Sequence, residues 1–226
     1  MRSELSPRLE VLPQAQRLLW PTLRPAAGLG FVLYGGTAIA LRLGHRTSID
    51  FDFFCKDILD RDALFTTMPI LRTAGVLQDR PDTLTLLAAP EGGSRNTVKL
   101  SFFGSITFGR VGVPEWTADR VAQVASLEDL LGTKLKVILQ RVEAKDYIDI
   151  AAMLEGGASL ALGLGAARVL FGPAFQPSEC LKALVYFEGG DLDILSQAVR
   201  DRLIASVAAV DDLPQVSLLD QGLTIR

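Results

Sequence analysis

The 226-residue chain holds two cysteines, Cys55 and Cys180, a single histidine, His45, and almost no surplus of charge: 23 basic and 26 acidic residues leave a net −3. Two cysteines give no disulfide framework and no zinc set, which fits a reducing, cytoplasmic setting. A slightly negative balance argues against a broad nucleic-acid-binding surface, though a few well-placed Arg and Lys residues still suffice for a local basic patch. The N-terminus carries Glu4 and Glu10 and has no apolar run long enough for a signal peptide, and no later segment is apolar enough to span a bilayer, so no membrane partner is expected. Repeats and low-complexity tracts are also missing. What remains is ordinary: 22% charged and 49% hydrophobic residues, with chain enough for one large domain or two small ones.

The pattern changes near residue 125. Before it the chain reads as mixed α/β: a helix over 7–20 cut at Pro21, a strand-helix-strand stretch, a helix over 60–73, and strands at 75–78, 82–88 and 97–103, with Arg80-Pro81-Asp82 and Glu91-Gly92-Gly93-Ser94 as turns. After it the pattern is helical, at 126–141, 145–155, 161–170, 177–187 and 192–209, broken by Gly156-Gly157, Gly172-Pro173 and Gly189-Gly190.

Residues 31 to 54 carry the most chemistry. Phe31, Val32, Leu33 and Tyr34 form a β-prone run ending at Gly35-Gly36, where the backbone can take positive φ and come close to a ligand. Thr37 to Leu43 contains neither Gly nor Pro and predicts about two helical turns, stopped by Gly44. Strand, tight turn and short helix make an anion-binding layout, since a helix start presents backbone N–H donors. Thirteen residues after Gly36, the stretch Ile49-Asp50-Phe51-Asp52-Phe53 alternates strictly, so both aspartates share one strand face. Adjacent bare carboxylates repel each other, and a pair with open positions suits Mg²⁺ or Mn²⁺. His45, after the helix-stopping glycine, reads as a packed loop residue, whereas the Arg46 fork can meet a phosphate or brace the aspartate strand.

Helical phase singles out a second group. In the 126–141 helix Leu127, Leu131 and Ile138 mark the apolar stripe, and Lys134 and Arg141 fall on it, while Lys136 points away. Phase alone leaves Lys134 two readings: its stem snorkels to the surface, or its ammonium turns inward to a partner or ligand. In the next helix Tyr147, Ile150, Met153 and Leu154 define a stripe that contains Asp146 and borders Asp149. Asp146 is expected to pair with Arg141 or Lys145, and such a pair could also position Lys134 or Arg141.

Gly35-Gly36, the spacer and Asp50-Phe51-Asp52 resemble the first motif of the DNA polymerase β-like nucleotidyltransferases. The fuller string from Gly35 to Phe54 is similar to a narrower group, the AbiEii/AbiGii toxin family. Ala125-Ser126-Leu127-Glu128-Asp129-Leu130, Lys134, Arg141 and Lys145-Asp146-Tyr147-Ile148-Asp149 resemble that family's second block in order and spacing, so the likeness spans residues 31 to 155. The resemblance implies an α+β fold: a nucleotidyltransferase core of mixed sheet flanked by helices over 1–125, then a C-terminal helical bundle over 126–226 that completes the cleft. It also implies Mg²⁺-dependent transfer of a nucleoside monophosphate from an NTP to an acceptor hydroxyl. In that scheme Asp50 and Asp52 hold the metal, and Gly35, Gly36, Thr37, Arg46, Lys99 and Arg141 face the nucleotide. Lys134 neutralises phosphate charge and Asp146 supports the site. The acceptor implied is RNA, notably the tRNA 3′ end, and the partner an antitoxin of a type IV toxin-antitoxin system.

One departure from the wider superfamily stands out. Its third carboxylate is expected on a neighbouring strand, and Thr97-Val98-Lys99-Leu100-Ser101-Phe102-Phe103 places Ser101 there, with Lys99 on the same face. Serine is no general base unaided. Either two aspartates suffice, or an acid such as Asp146 or Asp149 completes the set, or catalysis is impaired. The rival readings are a transferase acting on a protein or a small molecule of the aminoglycoside kind, and a catalytically weakened fold that binds a nucleotide or a partner.

Overall fold

The computed structural model describes residues 4–90 and 96–225, so the expected Glu91-Gly92-Gly93-Ser94 turn lies outside the described residues. The described chain divides into two compact units, one of residues 4–90, 96–109, 113–126 and 220–225, the other of residues 110–112 and 127–219.

The first unit contains every strand among the described residues: β1 (Glu4–Leu5), β2 (Val32–Tyr34), β3 (Asp50–Phe54), β4 (Gly75–Arg80), β5 (Thr83–Ala88), β6 (Val98–Phe103), β7 (Glu115–Thr117) and β8 (Gln123–Val124). They form one mixed sheet in the order β1-β7-β8-β2-β3-β6-β5-β4. Strand β3 runs antiparallel to β2 and parallel to β6. Its side chains alternate as the sequence predicts, with Phe51 and Phe53 buried and Asp50 and Asp52 half-buried. Phe51 and Phe53 stack with Trp20 and Phe102 at centroid distances of 5.4 to 6.4 Å. That packing fixes the register: a one-residue slip would expose both phenylalanines, at about 1.5–3 kcal/mol each, and drive two carboxylates into the core.

The helices of this unit are α1 (Gln14–Leu19), α2 (Arg24–Gly28), α3 (Gly35–Leu43) and α4 (Arg61–Thr67). Helix α3 ends as expected, with Gly44 in the left-handed region at φ 69°. Its Arg42 donates to the carbonyls of Val124 and Ala125 and pairs with Glu115, fastening α3 to β7 and β8. Two expected helices are shorter because of proline. The 7–20 helix begins only after Pro13, with Leu12 extended at ψ 132°. The 60–73 helix stops at Thr67, because Met68 before Pro69 sits at ψ 79°. In both cases the proline ring excludes the preceding residue from the helical region. Strands β1, β7 and β8 were not expected, being two or three residues long with no alternation to read.

The second unit is helical: α5 (Leu127–Val137), α6 (Ala144–Glu155), α7 (Leu160–Phe171), α8 (Pro177–Val185) and α9 (Gln197–Ala208). The core is mainly aliphatic, with Leu131, Leu135, Ile150, Leu164, Leu170, Leu184 and Leu203 buried beside the aromatic Tyr147 and Phe175. Asp191 Oδ1 accepts the Ala144 N–H at 2.6 Å and so caps α6 from a distant loop. The 192–209 helix splits, because Ser196 caps Val199 N–H and starts α9 afresh after a 3-10 turn at Leu192–Ile194. Helix α5 ends at Val137, so Arg141 lies beyond it instead of on its stripe. No described helix is long and apolar enough to cross a membrane.

Candidate active site

In the first unit, β2 delivers the chain into α3 through Gly35, whose φ of +73° needs glycine. A Cβ built there would lie 2.7 Å from Asp52 Oδ2, so the Asp52 carboxylate rests directly against the Gly35 backbone. A Cβ at Gly36 would overlap the Arg46 guanidinium and lie 3.2 Å from Ser48 Oγ. The two glycines therefore admit a carboxylate and a guanidinium to the start of α3, where backbone N–H groups lack helical partners.

Thr37 is fully buried, and its hydroxyl contacts the Asp50 carbonyl and, at 2.8 Å, Ser48 Oγ. A carbonyl only accepts, so the single Thr37 proton goes to Asp50 and the Ser48 hydroxyl donates to Thr37. The Thr37 side chain is thus a brace between α3 and β3, and only its backbone N–H is left to meet a phosphate. Arg46 Nη1 donates to the Thr47 carbonyl at 2.9 Å while the group lies over Gly36. His45 is half-buried in the loop after Gly44.

Strand β6 supplies the neighbours. Parallel register sets Lys99 opposite Asp50 and Ser101 opposite Asp52, and on the far side Ser101 faces Thr85 of β5. Lys99 Nζ pairs with Asp50 Oδ2 at 2.8 Å, both side chains being about one-third exposed. Ser101 is 3% exposed, so the position expected to hold a third acid is a buried hydroxyl. Among the described residues no cluster of three or more His, Cys, Asp or Glu forms a closed metal cage. Two half-buried carboxylates on one face, one seated in the Gly35 cradle, fit a hard cation that completes its shell with water and substrate oxygens, as Mg²⁺ does.

The second unit holds a separate cluster. Lys134 Nζ lies 2.6 Å from Asp146 Oδ1 and 2.7 Å from Asp149 Oδ2, with both aspartates fully buried. Lys134 therefore turns inward to carboxylate partners and does not snorkel. Arg141 grips Asp146 with two bonds, Nε to Oδ2 at 2.8 Å and Nη2 to Oδ1 at 3.1 Å. Lys145 pairs with Glu143 at 2.7 Å, so Arg141 is the partner Asp146 takes. Burial alone would raise the Asp146 pKa, but the Arg141 bond, the Lys134 charge and the Lys134 bond outweigh it and hold the carboxyl below the usual carboxylate range. Burial, with the Asp57 charge, pushes the Cys55 thiol up to about 12, and burial does the same to Cys180. Neither is a thiolate nucleophile near neutrality.

The sequence profile described as "Nucleotidyl transferase AbiEii toxin, Type IV TA system" matches residues 17–202. The chain belongs to the AbiEii toxin family. An uncharacterised protein of Aquifex aeolicus (strain VF5) is 33% identical over 122 residues, which is 53% of this chain and 55% of that protein, so the match spans about half the length of that relative. Among solved structures, the chain is similar to MenT4, a nucleotidyltransferase toxin of Mycobacterium tuberculosis H37Rv, with TM-score 0.55, 15% identity, and 86% and 81% of the two chains covered. It is also similar to an antigenic nucleotidyltransferase-like protein of Paracoccidioides brasiliensis, with TM-score 0.52, 17% identity, and 87% and 95% covered. These likenesses establish the mixed α+β fold. For this AbiEii-family chain the structure adds two residues to those read from the sequence, Ser48 and Thr85, and gives a third, Asp149, a definite partner. Asp149 is a direct Lys134 partner, legible from its i+3 spacing to Asp146. Ser48 and Thr85 carried no signal, since hydroxyls that line a strand face look like any surface serine or threonine.

Proposed function

We propose that this AbiEii-family protein is a divalent-cation-dependent nucleotidyltransferase that moves a nucleoside monophosphate from an NTP to an acceptor hydroxyl. The observation that carries this reading is the Asp52 carboxylate set against Gly35 at the start of α3, beside Asp50 on the same strand face. It puts a cation seat next to a set of phosphate donors. Asp50 and Asp52 would hold Mg²⁺ or Mn²⁺, which supplies charge neutralisation at the phosphates and a lowered pKa at a bound hydroxyl. The backbone N–H groups of Gly35, Gly36 and Thr37 orient the β and γ oxygens, and Arg46 adds a cation at that helix start. The acceptor oxygen then attacks the α-phosphorus in line, and the bond from that phosphorus to pyrophosphate breaks. Lys134 and Arg141 are further taken as phosphate partners, a role implied only by the sequence resemblance, with Asp146 and Asp149 holding the Lys134 ammonium. The family description, a toxin of a type IV TA system, supports the setting we propose with it: action in the cytoplasm, RNA such as tRNA as acceptor, and a cognate antitoxin as partner.

The test is incubation with each α-labelled NTP, Mg²⁺ and total RNA, beside the Asp50→Ala/Asp52→Ala double variant. Label should enter RNA with the wild type alone, and transfer that survives in the double variant would remove the aspartate pair from the mechanism. Buried Ser101 and Lys99 on Asp50 favour a second reading, NTP binding without turnover, which the same assay separates when paired with equilibrium binding of a labelled NTP.

A further inference from the structure

We propose that the carboxylate face carries its own seat for the acceptor: the partly exposed rings of Phe54, Phe103 and Phe108 form an aromatic shelf on which the terminal nucleobase of a single-stranded acceptor stacks. This rests on the nucleotidyl-transfer reading of Asp50 and Asp52 and adds to it where the acceptor lies. Strand alternation continues the row of Asp50 and Asp52 into Phe54, and parallel pairing sets Phe103 of β6 opposite Phe54, as it sets Ser101 opposite Asp52. Tyr34 of β2 lies opposite Asp52 on the other side. Its ring is buried and stacks against Phe54, with centroids 4.9 Å apart and planes 17° from parallel. Phe103 and Phe108 meet Phe54 edge to face, at 5.0 and 6.2 Å. Phe54, Phe103 and Phe108 each keep part of their surface accessible. The loop that carries Phe108 is tied to the chain beyond β3, since Ser105 N–H donates to the Asp57 carbonyl at 2.8 Å and Ile106 N–H to the Cys55 carbonyl at 3.0 Å. The shelf is thus built before any ligand arrives.

Its place on the face assigns the occupant. Helix α3 begins at the Asp50 end of β3, where the Thr37 hydroxyl bonds the Asp50 carbonyl, whereas Phe54 closes the opposite end of that strand. In phosphoryl transfer the attacking and leaving oxygens stand in line, on opposite sides of phosphorus. With the β and γ phosphates on Gly35 and Gly36, pyrophosphate leaves toward α3, so the attacking hydroxyl comes from the Phe54 end. Phe54 lies about 7 Å along the strand from Asp52, a separation that one sugar ring bridges. The group next to a hydroxyl bound there meets flat apolar rings instead of charge. A nucleobase covers such rings with its own face, and stacking holds a single strand without the broad basic surface that a net charge of −3 argues against. An aminosugar or a serine hydroxyl brings no such plane.

The probe is a short single-stranded RNA with a free 3′ hydroxyl, its last nucleotide intact or abasic, offered to the full chain with α-labelled NTP and Mg²⁺. Wild type should use the intact strand on the order of tenfold better in kcat/KM, the worth of one stacked base. Phe108→Leu keeps an apolar side chain without the ring, and should raise KM for the intact strand to a similar extent, with a much smaller effect on the abasic strand and on KM for the NTP. Phe108→Tyr restores the ring and should restore the preference. Each variant is also run on total RNA, so that a need for a particular RNA fold does not hide the effect. The wild-type comparison of the two strands requires no variant and decides the matter even if Phe108→Leu fails to fold. Equal use of both strands by the wild type, a Phe108→Leu loss confined to KM for the NTP, or label that enters only an acceptor other than nucleic acid would overturn the shelf as an acceptor seat while leaving the aspartate mechanism standing. If no transfer depends on Asp50 and Asp52, the nucleotidyl-transfer reading falls and takes the shelf with it.

Discussion

Gly35→Ala separates the cost of strain from the cost of a displaced carboxylate. At φ +73° an alanine is strained by about 1–2 kcal/mol. Its methyl would also lie 2.7 Å from Asp52 Oδ2, where ordinary contact begins at 3.4 Å, so the carboxylate must retreat by about 0.7 Å. A shift approaching 1 Å in a catalytic group costs on the order of 100-fold in rate, so nucleotidyl transfer should fall by about 10- to 100-fold. That fall corresponds to about 1.4–2.7 kcal/mol of transition-state stabilisation. Gly30→Ala supplies the control. It has φ +86°, so the same strain applies, but its nearest neighbour is Asp57 Oδ2 at an ordinary 3.9 Å. Urea unfolding should show similar losses of stability for both variants, while kcat/KM for label transfer falls for Gly35→Ala alone. Equal activity of the two variants would refute the claim that Gly35 is kept for the close approach of Asp52.

Three further outcomes follow from the same geometry. Lys134→Met removes the ammonium shared by two fully buried aspartates, and breaking a buried pair in this way should cost about 3–5 kcal/mol in urea unfolding; a loss under 1 kcal/mol would show that the cluster is not a stabilising unit. Because the Asp146 carboxyl is held below its unfolded value of about 3.9, its contribution is fully present above about pH 4 and is lost as pH falls through the lower folded pKa. Acid unfolding of Asp146→Asn should accordingly be shallower than that of the wild type below pH 4, and parallel curves would contradict the assignment. Ser101→Asp buries a carboxylate opposite Asp52, so it should destabilise the metal-free protein by about 1–3 kcal/mol, and Mn²⁺ should restore more of its stability than it adds to the wild type. A variant indifferent to Mn²⁺ would place Ser101 outside the reach of the cation.

The elements that the sequence reveals most plainly are those whose pattern has one physical cause. Strict alternation at Asp50–Phe53 places the aromatic core and the carboxylate pair at once, and Gly44 ends α3 because only a left-handed residue closes that helix cheaply. Phase puts Lys134 on the apolar stripe but leaves open whether its ammonium turns inward, and it assigns no partner, since Asp149 reads as a border residue and a possible third acid. Proline effects at Pro13 and Pro69 were readable in principle, yet the apolar periodicity running through both masks the break. The Lys99–Asp50 pair depends on the parallel register of β3 and β6, two strands separated by residues 55–97, and no local pattern sets that register. The same holds for β1, β7 and β8, which exist because their neighbours supply hydrogen bonds and not because of their own composition.

The central claim is that Asp50, Asp52 and the Gly35-Gly36 turn transfer a nucleoside monophosphate, as opposed to a terminal phosphate or nothing. Parallel reactions with α-labelled and γ-labelled NTP read this directly. The account predicts that the α label enters the acceptor and the γ label leaves in pyrophosphate, both only when Asp50 and Asp52 are intact. A γ label on the acceptor, or an NTP that binds and is never cleaved, would contradict it.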